Sequence, residues 1–361
     1  MGLTIGLGGG NAGGGGGGGV AGGLIQDMAG VTWTGTAKIS DTTITEFPGA
    51  DCRYLSSLEK MFFLLKNLVS IGELKNTGKV TSTINMFYQC SSLQTVPLFN
   101  TSAVANMSSM LYGCESLHNV PAFDTSNVTN MNSMFRTCII LQNIPEFNTS
   151  NVTNMSYMFY SCISLQTVPA FDTSKVTNMG YMFYSCSSLQ TVPTFDTSKV
   201  TNMGYMFSNC TSLQTVPAFD TSEVTNMSAM FSSCSSLQTV PAFDTSKVTS
   251  MNGMFSHCRS LTSIGGTLDM IKVTSDGNAS DMFYNCKLLE TVQIANLGVS
   301  LDLSWCKVLS IDSVLFLFNN AKSVVSGKTI QLNSLVFAQL TEDQIAIATE
   351  KGFSVTSVVK S

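Results

Sequence analysis

The stretch VTNMSYMFYSCISLQTVPAF, residues Val152 to Phe171, recurs with few changes along the middle of the chain. Close copies begin at Val176, Val200 and Val224, which gives the repeat a period of 24 residues. A fixed period in the range of about 20–50 residues is typical of solenoid proteins, in which each repeat forms one coil and packs on its neighbours. The sequence therefore predicts a solenoid of about ten coils rather than ordinary globular domains.

Within one repeat, the spacing of apolar residues changes, and this predicts where a helix and a strand lie. Val128, Met131 and Met134 follow the three-residue spacing of a short helical face. Asp124 precedes them and supplies a side-chain oxygen suited to capping a helix N-terminus. A short extended piece follows and ends at Pro145, which has no N–H for a strand ladder. We therefore expect an α/β repeat, in which each coil of about 24 residues is one short strand, a turn and one short helix.

The segments around the array differ from it in composition. The solenoid is predicted over residues 61–306. Residues 1–30 are rich in glycine and predict either a flexible linker or an anchor that packs its bare backbone into a partner. Residues 31–60 alternate apolar and polar side chains and predict an N-terminal β cap, and residues 307–361 predict a C-terminal α/β cap. Caps are expected because the first and last coils would otherwise leave the core open.

The pattern of the C-terminal cap is specific enough to place its elements. A strand is predicted at residues 299–303 and a helical run from Ile311. A strand follows at residues 329–332, then a second helix from Thr341 to Lys351 that ends before a glycine. The last predicted element is a strand over Phe353–Val358.

Charge and composition argue against several classes of function. The 361 residues carry a formal net charge of −5 and are only 11% charged, whereas nucleic-acid-binding surfaces are basic. No apolar run reaches about 18 residues, so no membrane insertion is predicted. The first residues lack the basic and apolar regions of a secretory signal peptide, and synthesis in the cytoplasm of a host cell is expected.

Cysteine marks one position of every coil. The chain has no CxxC pair and only two histidines, so neither a metal site nor a cofactor is predicted. An irregular early coil has Leu65 at the cysteine position, which favours a buried packing site. A disulfide between neighbouring coils is the alternative. The cysteines of this structural core ladder are Cys90, Cys114, Cys138, Cys162, Cys186, Cys210, Cys234 and Cys258.

The sequence contains few residues that could catalyse a reaction. His118 and His257 occupy unrelated positions of the array, so no nucleophile–base pair is expected, and no phosphate-binding loop is present. Aspartate recurs at one position of several coils, where helix capping is the favoured interpretation and a calcium ladder the alternative. We predict that the protein is not an enzyme.

The repeat varies at the positions that tyrosine occupies in some coils. Three neighbouring coils have tyrosine before the Met–Phe pair, where other coils have serine, alanine or glycine, and two of them have a second tyrosine after the pair. Aromatic rings with hydroxyl tips suit the binding of a glycan, whereas packing of the rings over neighbouring coils is the alternative. The candidate ligand-binding residues are Tyr157, Tyr160, Tyr181, Tyr184 and Tyr205.

The element Asp-Thr-Ser-Lys-Val-Thr-Asn-Met at residues 172–179, and the Met-Phe-Tyr-Ser-Cys that follows it, resemble the BspA-like leucine-rich repeats of bacterial surface proteins, the DUF285 family. The resemblance covers residues 58–306 and implies a leucine-rich-repeat-like solenoid with an adhesive role and no common enzyme activity. Residues 340–352 resemble a module found with such repeats in gut Bacteroidales and their phages. The glycine-rich residues 1–30 are similar to the start of virion proteins of tailed phages.

Together these resemblances imply a non-enzymatic tail or fibre protein of a phage virion, which is extracellular after release. Residues 1–30 would dock on other virion proteins, and the solenoid would attach to a glycan or protein of the host surface. A purely structural decoration or spacer protein of the virion is the alternative, and an adhesin of a bacterial cell surface is the third interpretation. The formation of a homo-oligomer is left open.

Overall fold

The computed structural model describes residues 4–5, 38–39, 42–325 and 327–360. The chain divides into two compact units, Met1–Lys175 and Val176–Ser361. The backbone of both units winds in parallel coils, about 12 in total, so the predicted solenoid is confirmed. The anchor predicted at residues 1–30 lies outside the described residues apart from Thr4–Ile5, as does most of residues 31–41 in the predicted N-terminal cap.

Strands of the first unit are very short, and all of them pair in parallel. Beyond residue 75, neighbouring coils of this unit are joined by single parallel bridges, which run through Ser82, Asn106, Asn130 and Asn154. The short strand predicted before each recurring proline is not found: within described residues 76–238 no strand forms, and the bridging asparagines lie in the stretch predicted to be helical. The strand pairs are Thr4–Ile5 with Lys38–Ile39, Glu46–Phe47 with Ser70–Ile71, and Ala50–Asp51 with Leu74–Lys75.

The second unit begins in the same way and ends in longer elements. Asn178, Asn202 and Asn226 form single bridges, and two three-stranded parallel sheets follow. One sheet contains Thr239–Val240, Ser263–Asp269 and Thr291–Ala295. The other contains Leu301–Leu303, Lys328–Asn333 and Phe353–Val358. The helices are the α-helices Ile311–Asn320, Ser334–Phe337 and Glu342–Thr349 and the 3-10 helix Asp276–Asn278.

The elements predicted near the C-terminus are therefore present. The strand Phe353–Val358 has the predicted bounds, and the helix Glu342–Thr349 lies within the predicted Thr341–Lys351. Thr341 accepts a hydrogen bond from the amide of Gln344 and donates its own amide to the Gln344 side chain, so the helix begins with a complete capping box. The sequence pattern missed the four-residue helix Ser334–Phe337.

The helix predicted in each coil is wrong. Within described residues 42–275 no α-helix forms, and the apolar stretch is a run of tight turns. Ser133 and Thr137 have φ angles of 56° and 59°, in the left-handed region that an α-helix cannot contain. Gly113 and Gly253 hold the same two positions in other coils, with φ of 73° and 61°. Two left-handed residues per coil thus replace the expected helix with turns.

Hydrogen bonds show why the turns are stable. The amide of Met134 closes a turn on the carbonyl of Met131, 3.2 Å away. The next amide along, that of Phe135, instead donates to the carbonyl of Met158 in the following coil, 3.0 Å away. Alternate amides therefore bond within the coil and between coils, which pairs successive backbone donors of the turns.

The apolar positions of the repeat all point into the core. Phe135 stacks on Phe159 of the next coil with ring centroids 5.6 Å apart and an interplanar angle of 4°. The regular coils from Val128 onward each contribute a valine, two methionines, a phenylalanine, a cysteine and a leucine to this core, and one coil alone could not bury them. In one coil the fully buried set is Val128, Met131, Met134, Phe135, Cys138 and Leu141.

The Asp-Thr-Ser element also stabilises the coils, although no helix follows it. The carboxylate of Asp124 accepts hydrogen bonds from the amide and the hydroxyl of Ser126, at 3.0 and 2.7 Å. The buried hydroxyl of Thr125 donates to the carbonyl of Asn148 in the next coil, 2.9 Å away. The predicted N-cap is thus a cap on a turn, and the two hydrogen bonds from Ser126 lower the pKa of Asp124. None of the helices in the described part of the chain is long and apolar enough to span a membrane.

Candidate binding site

The left-handed residue of each coil also places the candidate tyrosines. Tyr157 has a φ of 59°, and the amide of Tyr160 closes a turn on its carbonyl at 3.1 Å. The turn brings the two rings together, with centroids 6.0 Å apart, and both side chains are half-buried. Tyrosine is an uncommon residue at positive φ, because its Cβ crowds the backbone there.

Arg136 lies at the centre of the tyrosines of the first unit. The central carbon of its guanidinium is 4.1 Å from the ring centroid of Tyr160 and 5.3 Å from those of Tyr112 and Tyr157. Distances below about 6 Å permit cation–π attraction with each ring. One coil thus contributes a cation at the position where its neighbours contribute tyrosine.

The stack continues on the other side of Tyr112. Its ring lies 4.4 Å from the ring of Tyr88, which in turn lies 5.0 Å from Phe63. Burial, and after it the neighbouring Tyr112, raises the pKa of Tyr88. We call this set the first aromatic strip: Phe63, Tyr88, Tyr112, Arg136, Tyr157 and Tyr160.

The second unit carries a strip of its own. The rings of Tyr181 and Tyr205 are parallel within 4° and 4.6 Å apart, and Tyr184 lies 5.8 Å from Tyr181 at 46°. All three side chains are half-buried. We call Tyr181, Tyr184 and Tyr205 the second aromatic strip. In both strips the rings pack on one another, as the alternative interpretation expects, and each side chain keeps part of its surface open to solvent.

Two features of the surface were missed from the sequence. Arg136 was not among the candidate residues, although its distance of 24 residues from both Tyr112 and Tyr160 already placed it between them. A further cluster joins His257, Tyr284 and Trp305, with successive ring centroids 4.9 and 4.8 Å apart.

This C-terminal cluster also holds two cations. The ammonium groups of Lys287 and Lys360 lie 5.7 and 5.4 Å from the ring centroid of Trp305. The sequence pattern did not predict this cluster, because the spacing of the cysteines changes there to 28 and then 20 residues and the 24-residue period no longer places Trp305.

The eight ladder cysteines are fully buried free thiols, and no disulfide links them. The thiol of Cys138 donates a hydrogen bond to the carbonyl of Leu111, 3.2 Å away in the preceding coil, and similar contacts recur at other coils. Burial raises the pKa of Cys90 and Cys162 to about 12, so both stay protonated at neutral pH. Across the described ranges, no group of three or more His, Cys, Asp or Glu side chains is arranged to hold a metal ion.

An open cleft of about 720 Å³ lies in the first unit, away from any candidate residue of the sequence. Its lining includes Thr77 and Asn100, and the hydroxyl of Thr77 donates to the carbonyl of Asn100 at 2.8 Å. These contacts join one coil to the next. The cleft is thus lined by groups that already stabilise the solenoid.

Comparison with solved structures finds leucine-rich repeat proteins. One is a leucine-rich repeat protein from Eubacterium ventriosum ATCC 27560, with 17% identity and a TM-score of 0.36, which covers 72% of this chain and 78% of that chain. Another is a T. pallidum leucine-rich repeat protein, with 20% identity and a TM-score of 0.29, which covers 62% of this chain and 81% of that chain. No curated protein sequence matches the chain.

The repeats themselves match a family model described as "Mycoplasma protein of unknown function, DUF285". Its five matches cover residues 56–141, 81–193, 113–218, 187–297 and 211–326. Together they span about three-quarters of the chain. The chain therefore belongs to the DUF285 family of BspA-like repeat proteins.

Proposed function

We propose that the protein is a non-enzymatic attachment protein, which binds a glycan or protein of a host surface through the two aromatic strips. The observation that carries the proposal is the grouping of three tyrosine rings around Arg136, on a solenoid whose sequence is only 11% charged. Half-buried rings offer flat apolar faces to sugar C–H groups or to apolar side chains, and their hydroxyls offer hydrogen bonds. The repeat consensus, in contrast, is accounted for by core packing and by bonds between coils.

We place this activity in a phage virion, as part of a tail or fibre. Residues 1–30 would dock on other virion proteins, and the protein would be made in the cytoplasm of the infected cell. Support comes from the glycine-rich composition of residues 1–30 and from the resemblance of residues 340–352 to a phage-associated module. A purely structural spacer of the virion is the rival, because the solenoid would be stable without any ligand.

An adhesin on a bacterial cell is a second candidate function. Its support is membership of a repeat family typical of bacterial surface proteins. Mass spectrometry of purified phage particles, alongside fractionated host cells, distinguishes the two settings. Detection of the protein in the cell envelope and not in phage particles would contradict its assignment to a virion.

The binding proposal is tested with tyrosine variants that the fold tolerates. Ala229 occupies the left-handed position in another coil with a φ of 49°, so alanine is compatible with that backbone. We therefore expect the triple variant Tyr157→Ala, Tyr181→Ala, Tyr205→Ala to fold and to lose attachment to host cells and to a glycan array. The matched control replaces Gln190 and Gln214 by alanine, since both are exposed and lie elsewhere in the repeat. Unchanged attachment by the folded tyrosine variant would support the spacer instead.

A further inference from the structure

We infer that Arg136 makes the first aromatic strip selective for a carboxylated saccharide. The inference rests on the proposed function, because it uses the same tyrosines, and it adds the chemical class of the ligand. An uncharged glycan would use the rings alone, whereas an acidic one would also use the cation.

The arginine is held in place by aromatic rings rather than by an acid. The guanidinium lies 4.1 Å from the ring centroid of Tyr160, and the rings of Tyr112 and Tyr157 are each 5.3 Å away. A guanidinium packed against ring faces keeps its planar N–H fork free for hydrogen bonds at its edge. The strip therefore fixes the direction of the fork before any ligand arrives.

The charge of Arg136 has no counterpart in the part of the chain that the structure describes. The ion pairs found there use Arg53, Lys75, Lys247 and Lys328, but not Arg136. Its Nε is also buried without a hydrogen-bond acceptor. Because Nε is buried, an anionic ligand would pair with the terminal N–H groups of the guanidinium, whose positive charge no acid in the described part of the chain offsets.

Packing alone does not require a cation at this position. Tyr112 and Tyr160 occupy it in the coils on either side, and Ser208 occupies it in a coil of the second unit. A tyrosine at position 136 would continue the ring stack, and a serine would suit the turn. The coil instead places its one arginine between tyrosine rings.

A carboxylate is the anion that this geometry fits. Its two coplanar oxygens can accept two parallel N–H bonds from an arginine fork, which gives both strength and direction. The surrounding rings suit the C–H face of the sugar that carries it. We therefore expect uronic or sialic acid residues, and no neutral sugar, to make use of Arg136.

The test uses an array of saccharides that contain glucuronic, galacturonic or sialic acid, each paired with its methyl ester. The ester keeps the shape of the sugar and removes its charge. The wild-type protein should bind at least one acid about tenfold more tightly than its ester, which is the worth of one charge-assisted hydrogen bond. Arg136→Tyr should bind acid and ester alike, at the wild-type affinity for the ester.

Two further variants separate the fork from the charge. Arg136→Lys keeps the charge without the planar fork and should retain only part of the preference. Lys199→Ala removes an exposed cation from the second unit and should leave the preference unchanged. Sulfated saccharides form the last arm of the array and should bind less tightly than the carboxylated ones.

The outcomes are distinguishable. If the wild-type protein binds acids and esters equally, or if Arg136→Tyr keeps the preference, the inference falls while the proposed function stands. A stronger preference for the sulfated sugars would also overturn it. If the folded protein binds neither form and attaches to no host surface, the proposed function falls as well. Thermal melting of each variant establishes that it is folded.

Discussion

The thiol of Cys210 donates a hydrogen bond to the carbonyl oxygen of Phe183, 3.0 Å away in the preceding coil. Both residues are fully buried, so the bond ties one coil to another inside the core. A thiolate could not donate this bond and would lose its hydration in the apolar surroundings. Burial accordingly raises the pKa of Cys210 well above its ordinary value.

Alkaline pH should therefore destabilise the protein. Burial raises the pKa of Cys90 and Cys162 from 9.0 to about 12 in the folded state. The folded state then holds its protons more tightly than the unfolded state. The contribution of these thiols to stability is unchanged below about pH 9 and falls progressively as the pH rises from about 9 to about 12.

Urea unfolding at pH 7.5, 9 and 10.5 measures this effect. Cys90→Ala should lower stability at neutral pH but show a shallower loss with pH, because one titrating group is gone. Alkylation by iodoacetamide at pH 8 should label no ladder cysteine of the native protein and all of them in denaturant. Rapid labelling of the native protein would contradict the buried ladder.

A second prediction concerns two threonines of one coil. The hydroxyl of Thr197 is 1% exposed and donates to the carbonyl of Asp220, 2.8 Å away. Thr197→Val keeps the shape but leaves that carbonyl without its donor, and should cost about 1–3 kcal/mol. Thr201, in contrast, is exposed, with a 3.3 Å bond to the carbonyl of Thr177.

Thr201→Val is thus the matched control, and it should change stability by less than about 0.5 kcal/mol because water can replace the lost donor. Chemical unfolding of both variants, under one set of conditions, gives the comparison. Equal losses from the two substitutions would show that the bond between Thr197 and Asp220 contributes nothing specific.

The repeat pattern could predict the coils of the fold but not the turns within them. The period of 24 residues sufficed for the solenoid and for the burial of the cysteines, because each position repeats its surroundings in every coil. The prediction of a helix was wrong because Met131 and Met134 are three residues apart, a spacing that occurs both in helices and in successive tight turns. The hydrogen bond from the amide of Phe135 to the carbonyl of Met158 favours the turns over a helix. It joins two coils, so the spacing of apolar residues within a single coil does not reveal it.

The candidate site was predictable in part. The variation of the repeat led to Tyr157 and Tyr160, since those positions lie outside the fully buried core that fixes the others. The role of Arg136 can be predicted only when it is considered together with Tyr112 and Tyr160, 24 residues before and after it. That its charge is unpaired can be seen only in the folded chain. Trp305 could not be placed, because its contacts with Tyr284 arise where the period is broken.

A third prediction concerns the aspartates that cap the turns. The carboxylate of Asp172 accepts the amide and the hydroxyl of Ser174 at 3.0 and 2.7 Å, and these bonds lower its pKa. Asn148 makes the corresponding bonds to Ser150 in the preceding coil. Asp172→Asn, which keeps the acceptor oxygen without the charge, should therefore lower the melting temperature less than Asp172→Ala does.

Melting curves at two pH values check the cause. Because the pKa of Asp172 is lowered in the folded state, its contribution is present near pH 7 and is lost as the pH falls below the ordinary aspartate range. The difference between wild type and Asp172→Ala should accordingly be smaller at acid pH. A deficit of Asp172→Asn as large as that of Asp172→Ala would point to the charge, and not the hydrogen bonds, as the stabilising feature.

A fourth prediction concerns the left-handed residue before each cysteine. Gly113 holds this position with a φ of 73°, and a Cβ there would lie 3.1 Å from the Cγ of Gln89 and 3.2 Å from its Cα. Gly113→Ala should therefore cost about 1–2 kcal/mol, because it adds a crowded contact to an unfavourable backbone conformation. Ser161 occupies the same position two coils later with a φ of 57°.

The reverse substitution, Ser161→Gly, relieves the backbone and adds entropy to the unfolded chain, so stability should stay level or rise by at most about 1 kcal/mol. Urea unfolding of the two variants provides the measurement, with Ser161→Ala as the control that keeps a Cβ at the left-handed position. If Gly113→Ala were as stable as wild type, the turn would accept a Cβ at this position without cost, as it does at Thr137 and Ser161, and the contact with Gln89 would not be a crowded one. The bond from the amide of residue 113 to the carbonyl of Arg136, 2.8 Å long in the wild type, would then be kept, because Thr137 makes the equivalent bond to Tyr160 at 2.7 Å.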